Sequence, residues 1–410
     1  MPGWRSSVER SGDRARLLSA PRVITATDDP PLDDGAVLVQ EGRITAVGPR
    51  GELARTADAH EYHFRDATLL PGLIDCHEHV AGNGRFSTGT TALEEPDAMW
   101  AVVFAHYCRW NLAKGVTTLR VPGARHAVDL VVRRAIQEGH AEGPRLVCAG
   151  EAIGMTGGHQ GAFGLEADGP WGCAQAARRQ FALGADFIKA MASGGISAAS
   201  PGERPTHSQL TVEEMRAIVE VAHARDKRVT THADGVEGIS NALEAGVDCI
   251  EHGIYLTEEH ARFMAEHGVA VVPTLDCMIG IVHHGSELGL EPSWIDVADE
   301  LLDVHRRSFQ AALDAGVLFA TGTDSYGDIV SEIAEFTTYG ISRYRAIQAA
   351  TRDAAAVIGP SADYGTLEPG KSADVIAVEG DPLDAVEQLR QVRMVMSAGD
   401  VFSLDERALG

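Results

Sequence analysis

The central part of the chain alternates short apolar segments with longer segments in which apolar residues recur every three or four positions. Short, nearly continuous apolar segments are typical of parallel strands buried on both faces, and the longer period is typical of amphipathic helices. The apolar segments are 117–121, 145–149, 187–191, 229–232, 249–252, 269–273 and 318–322. With the strand that ends at His77 they make eight, so the pattern predicts an α/β fold containing a (β/α)8 TIM barrel, with helices over 211–226 and 235–245.

The two ends of the chain have a different pattern, in which short apolar strands follow one another without intervening helices. The segments are 22–26, 35–39, 42–48 and 63–70 near the beginning, and 365–378 and 392–400 near the end. Such spacing predicts a small β domain, and we expect the two ends to join into one β-sandwich. The expected domains are residues 1–70 and 359–410 for the β-sandwich and 71–358 for the barrel.

Charge and composition exclude several classes of function. The 410-residue chain carries a formal net charge of −24 at pH 7, which disfavours binding to nucleic-acid phosphates or to acidic lipids, so a small-molecule substrate fits better. The first twenty residues contain no apolar signal-peptide core, and no apolar run approaches the ~20 residues that span a bilayer. We therefore expect a cytoplasmic protein whose six scattered cysteines are reduced.

The first predicted barrel strand leads into a His-x-His pair, His77 and His79. Alternate strand residues point to one face, so the two imidazoles can bind one divalent ion, with Zn²⁺ the first expectation. An isolated pair is as typical of half-exposed strand histidines. Further ligand-type residues stand at the ends of other predicted strands, namely Lys189, His232, His252 and Asp324. Barrel active sites lie at these strand ends, so the shared location favours a metal centre.

Lys189 is the unusual member of this group, because an apolar strand should not bury an ammonium group without a reason. Addition of CO₂ to the neutral amine would give a carbamate whose two oxygens can bridge two cations. The alternative is a lysine that pairs with an acid. Asp324 can bind a metal through one oxygen and accept a proton through the other, or it can cap a helix.

Several segments together resemble the amidohydrolase superfamily. They are 71–79, the strand lysine Lys189, 231–233, 250–253, 322–324, 369–374 and 380–382. The resemblance spans roughly residues 17–405 and implies the barrel with its small β domain. Within the superfamily the chain is similar to bacterial Xaa-Pro and Xaa-Arg dipeptidases, N-acyl-amino-acid carboxypeptidases and ochratoxin-type amide hydrolases. The segments that carry this closer likeness are 155–159, 191–195 and 246–256.

The resemblance implies two divalent metal ions, one on His77, His79 and Asp324 and the other on His232 and His252. Carboxylated Lys189 and a hydroxide would bridge the two ions. The ions would lower the pKa of the shared water and polarise the scissile carbonyl. Asp324 would take the proton and pass it to the leaving amine. Relatives are often homo-oligomers, and these nitrogen and oxygen ligands accept several metals besides Zn²⁺.

Five residues are candidates for contact with the substrate. His159 can donate to the oxyanion as a catalytic group, donate to a substrate carboxylate, or serve as a structural imidazole in its glycine-rich loop. Tyr255 and Arg120 resemble carboxylate anchors, with aromatic packing on the rim as the alternative for Tyr255. Asp234 stands where many relatives carry histidine, and His207 where they carry a small polar residue. Both departures fall near the expected substrate mouth.

The leading hypothesis is a binuclear hydrolase that cleaves the amide bond of a dipeptide or N-acyl amino acid. The first alternative is a deaminase or cyclic-amide hydrolase of the imidazolonepropionase type, which uses a mononuclear site and lacks the bridging lysine, so Lys189 disfavours it. The second is a non-enzymatic barrel whose ligands have eroded. No member of the expected ligand set is missing from the sequence, which disfavours this reading.

Overall fold

The computed structural model describes residues 15–56, 58–79, 95–159, 161, 163–197, 202–359, 362–405, 407 and 409. It is an α/β structure with mixed sheets, and the chain divides into two compact units. The first unit contains the described residues up to Ile74, Arg109–Thr118 and the described residues from Ile333 onward. The second contains the described residues of Asp75–Cys108 and Leu119–Glu332.

The first unit is built on an eight-stranded sheet to which both chain ends contribute. Its strands are β1 (Ala15–Val23), β2 (Leu32–Gln40), β3 (Arg43–Pro49), β4 (Ala59–His63), β5 (Ala67–Pro71), β15 (Val375–Glu379), β16 (Val392–Ser397) and β17 (Asp400–Leu404). The order is β17-β16-β15-β5-β1-β2-β3, with β4 paired to β1. β5 and β15 are antiparallel, with Leu70 opposite Ile376, so strands from both ends of the chain pair directly.

The second unit alternates strands with helices. Its described strands and those at its boundary are β6 (Leu73–Asp75), β7 (Val116–Val121), β8 (Arg145–Cys148), β9 (Ile153–Gly154), β10 (Leu165–Glu166), β11 (Ile188–Met191), β12 (Val229–Ala233), β13 (Cys249–His252) and β14 (Ala270–Val272). β10-β9-β11-β12-β13-β14 form a parallel sheet, and β6-β7-β8 form a separate three-stranded sheet. The short strands β9 and β10 were not predicted, because two-residue pairings carry no hydrophobic period.

The described residues form twelve α-helices. They are α1 (Arg50–Thr56), α2 (Asp97–Ala113), α3 (Val128–Gln137), α4 (Gly169–Leu183), α5 (Val212–His223), α6 (Val236–Ala245), α7 (Glu258–His267), α8 (Leu275–Leu288), α9 (Pro292–Asp314), α10 (Ile329–Thr338), α11 (Arg343–Ala349) and α12 (Arg352–Ile358). Two of them, α5 and α6, fall within the predicted helical segments. In the described part of the chain, no helix combines the length and apolarity needed to cross a membrane.

Closure of the strands into one barrel is not detected among the described residues, because they are assigned to separate sheets. The last predicted strand, 318–322, appears as an isolated parallel bridge between Phe319 and Val271. Backbone bonds nevertheless run across this gap, since Cys76 N–H donates to Thr321 O at 2.9 Å and Ala320 N–H donates to Val271 O at 3.1 Å. The chain beyond 318 therefore lies beside β14 and beside the segment that carries His77.

Candidate metal centre

Three ligand-type side chains converge just beyond the end of β6. The Nε2 atoms of His77 and His79 lie 3.2 Å apart, and Oδ1 of Asp324 lies 3.9 Å and 3.8 Å from them. Ligand atoms about 2.1 Å from one tetrahedral ion stand at similar separations. His79 Nδ1 faces the carbonyl oxygen of Gly123 at 3.0 Å, so the tautomer that donates there leaves Nε2 as the ligating atom. This donor set fits a divalent metal ion.

The buried carboxylate of Asp75 links the segment that carries His77 to the segment that carries Asp324. Asp75 accepts hydrogen bonds from the backbone N–H of His77 at 3.0 Å and from the hydroxyl of Thr323 at 2.5 Å. The backbone N–H of Asp324 in turn donates to His77 O at 2.6 Å. Burial raises the pKa of Asp75 to about 7, although these hydrogen bonds oppose the rise. The local fold thus fixes His77 and Asp324 relative to each other.

His232 and His252 stand at the ends of the neighbouring strands β12 and β13. Their ring centroids are 4.8 Å apart, and His252 is also 4.8 Å from His77. His232 Nε2 lies 3.0 Å from Gly194 O, and His252 Nδ1 lies 2.7 Å from the hydroxyl of Thr274. Each ring therefore has one nitrogen fixed by the fold and the other left for the centre. One ligand atom each from His77, His252 and Asp324 lie within 4.8 Å of one another.

Lys189 lies on β11 and is buried beside a second ion pair. Its ammonium contacts the carboxylate of Glu251, whose other oxygen accepts from Arg120 Nη2 at 3.0 Å. Arg120 Nε also donates to Cys76 O at 2.5 Å. Burial lowers the pKa of Lys189 to about 7, because a low-dielectric surrounding disfavours the ammonium form. The neutral amine that CO₂ addition requires is thus accessible near neutral pH.

The electrostatic environment favours the protonation states that bind metal. Burial lowers the pKa of His77, His232 and His252, so these imidazoles are neutral at pH 7. Burial opposes ionisation of Asp324, but the neighbouring His77 and His79 outweigh it and lower the pKa of this carboxyl. Neutral imidazoles and an ionised carboxylate are the ligating forms of these side chains.

The cluster opens into a cavity of about 230 Å³. Among its lining residues are the six ligand candidates together with His159, Asp234, Trp100, Phe104, Arg125, Phe163, Ile254, Met278, Ile281, Trp294 and Tyr326. The wall is thus largely apolar, with a few polar groups around the metal candidates, as in many small-molecule sites.

His159 is held firmly against this wall. Its Nδ1 lies 2.7 Å from Oε1 of Glu203, and its ring stacks on His232 with centroids 4.4 Å apart. A Cβ atom at Gly195 would come within 2.5 Å of the His159 ring, so glycine is required for this close approach. Position and support together suit His159 to contact a bound substrate.

Comparison with known proteins identifies the family. The amidohydrolase family model matches residues 68–402. Ochratoxinase of Aspergillus niger is 31% identical over 404 residues, which cover 90% of this chain and 82% of the ochratoxinase. The chain belongs to the amidohydrolase family. The resemblance noted from the sequence is therefore confirmed, and the protein is a hydrolase of carbon–nitrogen bonds in a family that generally uses divalent metals.

Solved structures of amidohydrolase-family enzymes share this fold. The crystal structure of A. niger ochratoxinase matches with a TM-score of 0.85 at 28% identity, covering 95% of this chain and 96% of that one. A prolidase complexed with N-methylphosphonate-L-proline matches with a TM-score of 0.86 at 28% identity, covering 95% of this chain and 100% of that one. Imidazolonepropionase of Sphingopyxis alaskensis is 26% identical over 391 residues, 87% of this chain and 90% of that protein.

Three predicted substrate contacts of this amidohydrolase lie away from the described lining of the cavity. Arg120 is buried against Glu251 and Cys76, so its guanidinium is engaged in holding the site. Tyr255 packs against an apolar cluster that includes Met278 and Ile281, two residues of the cavity lining, and His207 is exposed. Neither Arg120 nor Tyr255 is among the described residues that line the cavity. His159 and Asp234, in contrast, do line the cavity.

The sequence reasoning missed several residues of the site. Glu251 could have been identified by the reasoning that identified Lys189, because it is an ionisable residue within an apolar strand. Asp75 likewise sits inside the apolar run that leads to His77. Glu203 and Arg125 lie in loops, where no periodic pattern distinguishes a site residue from a solvated charge.

Proposed function

We propose that this enzyme hydrolyses the amide bond of a dipeptide or N-acyl amino acid at a binuclear metal centre. The observation that carries the proposal is the convergence of His77, His79 and Asp324, with ligand-atom separations of 3.2–3.9 Å, in a cavity also lined by Lys189, His232 and His252. The likeness to ochratoxinase and to a prolidase supports an amide substrate.

The arrangement of the strands supports a (β/α)8 barrel as the frame of this centre. Parallel pairing runs from β9 through β11, β12 and β13 to β14. Single backbone bonds extend it, because Asp186 N–H donates to Cys148 O at 2.8 Å and Ala149 N–H donates to Val121 O at 3.1 Å. With the bond between Cys76 and Thr321, these contacts are those that a closed ring of eight strands requires.

We propose that His77, His79 and Asp324 would hold one metal ion and His232 and His252 the other, with carboxylated Lys189 as a further ligand. Two bound divalent ions would polarise the scissile carbonyl and make a water molecule acidic enough to attack it near neutral pH. Zn²⁺ is the ion expected first for this mixture of imidazole and carboxylate ligands.

The side chains themselves provide the proton transfer and the orientation of the substrate. Asp324 faces the imidazoles through Oδ1 and lines the cavity, so its carboxylate is placed to take a proton from the attacking water and return it to the leaving amine. His159, positioned by Glu203, is the candidate donor to the oxygen of the scissile carbonyl. The apolar wall excludes water from the substrate side chains.

The function is tested by release of free amine from a panel of dipeptides and N-acyl amino acids. The enzyme is first stripped of metal and then loaded with Zn²⁺, Co²⁺ or Mn²⁺. We expect turnover of panel members only when about two ions are bound per chain, and a loss of at least about 10³-fold in kcat for Asp324→Asn, because the proton acceptor is removed. Turnover of a cyclic amide or an amidine, with none across the panel, would instead favour the imidazolonepropionase-type alternative.

Lys189→Ala tests the binuclear assignment separately. We expect this variant to bind about one metal ion instead of two, and to regain part of its activity with short carboxylic acids such as propionate. Lys227→Ala, at an exposed lysine, is the matched control and should keep both ions. Full activity with two ions in Lys189→Ala, measured by elemental analysis of the same samples, would contradict the bridging role.

A further inference from the structure

His252 ends β13 in a backbone conformation that needs support. Its φ angle is 66° and that of Gly253 is 69°, so two consecutive residues are left-handed. Glycine adopts this region readily, whereas the Cβ atom of any other L residue comes too close to the backbone. A histidine persists there only where the surrounding structure fixes it. The contacts that fix His252 therefore decide where its imidazole lies.

The hydroxyl of Thr274 contacts the ring of His252. Its Oγ1 lies 2.7 Å from Nδ1 of the imidazole, and Thr274 is buried in the cavity wall. Thr274 precedes α8, but its side chain caps no N–H of that helix, so the helix does not compete for the hydroxyl. When Nδ1 bears the proton, it donates to Oγ1 and leaves Nε2 with the lone pair that a metal ion needs. This contact orients the ring and supplies the acceptor that the ligating tautomer requires.

Helix α9 holds the backbone of the same turn at two points. His305 Nε2 donates to His252 O at 3.0 Å, since a carbonyl oxygen can only accept, and the hydroxyl of Ser308 donates to Ile254 O at 2.7 Å. Both side chains are buried, and they stand three residues apart, which places them on the same side of the helix. The turn after β13 is therefore attached to a helix from a distant part of the chain.

The other ligand candidates are fixed by different contacts. Asp75 links the segments that carry His77 and Asp324. The other two imidazoles each face a backbone carbonyl oxygen through one ring nitrogen. The threonine before α8 and the histidine of α9 take no part in these contacts. A change at either should therefore weaken the ion that His252 binds and spare an ion that it does not bind.

We propose that Thr274 and His305 are positioning residues for His252, the first through its ring and the second through its backbone, and that they set the affinity of the metal ion that His252 binds. This inference rests on the metal centre of the proposed function and extends it to two residues of the cavity wall. Loss of a group that orients a metal ligand typically lowers metal affinity by about 10- to 100-fold. A loss of that size, confined to one ion, is the expected signature.

The test measures the affinity of each ion separately from turnover. Metal-free enzyme is titrated with Zn²⁺ in competition with a chromophoric chelator, which resolves the two binding steps. Thr274→Val keeps the branched shape and removes the hydroxyl. We expect it to weaken one step by about 10- to 100-fold and to leave the other within about 3-fold of wild type. Thr274→Ser keeps the hydroxyl and should recover most of the affinity. The visible spectrum of the Co²⁺-loaded enzyme, which reports the arrangement of the ligands, should change in Thr274→Val and return in Thr274→Ser.

His305→Leu should weaken the same step, because it removes the donor to His252 O, and His305→Gln should recover part of the affinity through its side-chain amide. If His305→Leu does not fold, His305→Asn replaces it, since its shorter amide is polar but lacks the reach of Nε2. Thr351→Val is the matched control. It removes a buried hydroxyl of the first unit, which donates to Ile347 O at 2.7 Å, and should leave both steps unchanged.

An unchanged affinity in Thr274→Val or in His305→Leu, or an equal loss at both steps, would overturn the proposal. A loss in Thr274→Val that Thr274→Ser does not recover would also overturn it, because the hydroxyl would then not be the cause. If the wild-type enzyme binds a single ion, the binuclear part of the proposed function fails, and the affinity of that ion decides the inference. A loss in Thr274→Val with recovery in Thr274→Ser then supports the positioning of His252, and no loss overturns it.

Discussion

The two units bury very different kinds of side chain at their centres. The sheet of the first unit is packed with apolar residues such as Leu18, Val37, Phe64 and Leu69, all fully buried. The metal centre of the second unit instead buries ionisable groups, and the most enclosed of these are Asp75, His77, Lys189, Asp234 and Glu251. Apolar burial stabilises a fold directly, whereas buried charges stabilise it only when they are paired or bound to metal. We therefore expect the stability of the second unit to depend on what occupies the candidate metal centre.

Unpartnered atoms show where that dependence lies. Within the described residues, Oδ1 of Asp234 is buried without a hydrogen-bond partner, and Nδ1 of His77 makes no hydrogen bond although Oε2 of Glu251 lies 3.4 Å away. Each such atom costs free energy of folding unless a ligand, ion or water satisfies it. Two of the candidate ligands, His252 and Asp324, also have left-handed backbones, with φ angles of 66° and 52°. The site is thus held in a costly conformation by the structure around it.

Removal of metal should produce the largest difference in stability between the two units. We expect dialysis against a chelator to abolish amide hydrolysis and to lower the free energy of unfolding of the second unit. The loss would be about 4 kcal/mol where free metal had stood at 1,000 times its Kd. Hydrogen exchange should accelerate at β12 and β13 and stay unchanged at β1 and β5. A uniform acceleration in both units would show that the sheet of the first unit depends on metal as much as the centre does.

Phe64→Ala should destabilise the first unit and leave metal binding in the second unit unchanged. Phe64 is fully buried in the apolar cluster of the first unit, so its truncation leaves a cavity and should cost about 3–5 kcal/mol in the free energy of unfolding. Metal content and the kcat/KM of the folded fraction should stay at wild-type values, as determined by elemental analysis and by assay of samples checked for folding. A drop in metal stoichiometry would contradict the independence of the two centres.

Arg120→Met should weaken the metal centre by a smaller amount. The variant removes the hydrogen bonds to Glu251 and to Cys76 O and leaves the buried carboxylate with Lys189 and, at 3.4 Å, His77 Nδ1. We expect a loss of about 2–3 kcal/mol in urea unfolding and weaker binding of the second metal ion. The KM for a cleaved substrate with a free carboxylate should be unchanged. A large rise in that KM would support Arg120 as the carboxylate anchor.

Most ligand candidates could be named from the sequence because strand ends have a recognisable pattern. An apolar strand that closes on a polar side chain identifies His232 and His252, and a cation inside such a strand identifies Lys189. The helices α5 and α6 follow equally from the helical period of their apolar residues. These predictions rely on the pattern of residues within one strand or helix, and those strands and helices are present in the structure.

The positions of Tyr255 and Arg125 relative to the cavity could not be predicted, because they depend on how the chain turns after a strand. The left-handed conformation of His252 redirects the backbone, and Tyr255, three residues later, packs with Met278. Arg125, which lines the cavity, is followed by His126 and Ala127, whose positive φ angles are not marked by glycine in the sequence. Spacing along the sequence states how far a side chain lies from a strand end, but not in which direction it points.

The smallest effect is expected from Thr211→Ala, which separates the stability of the second unit from its chemistry. Thr211 caps α5, because its hydroxyl accepts from Glu214 N–H at 3.3 Å while the Glu214 carboxylate accepts from Thr211 N–H at 2.9 Å. Loss of this capping box should cost about 1 kcal/mol in urea unfolding, with exposed Thr206→Ala as the control. Metal content and kcat/KM should not change, because the helix start contributes no ligand. If this variant lost metal, even a small loss of stability in the second unit would be sufficient to release the metal. Metal binding would then depend on the stability of the unit, and the stability would not depend on metal binding.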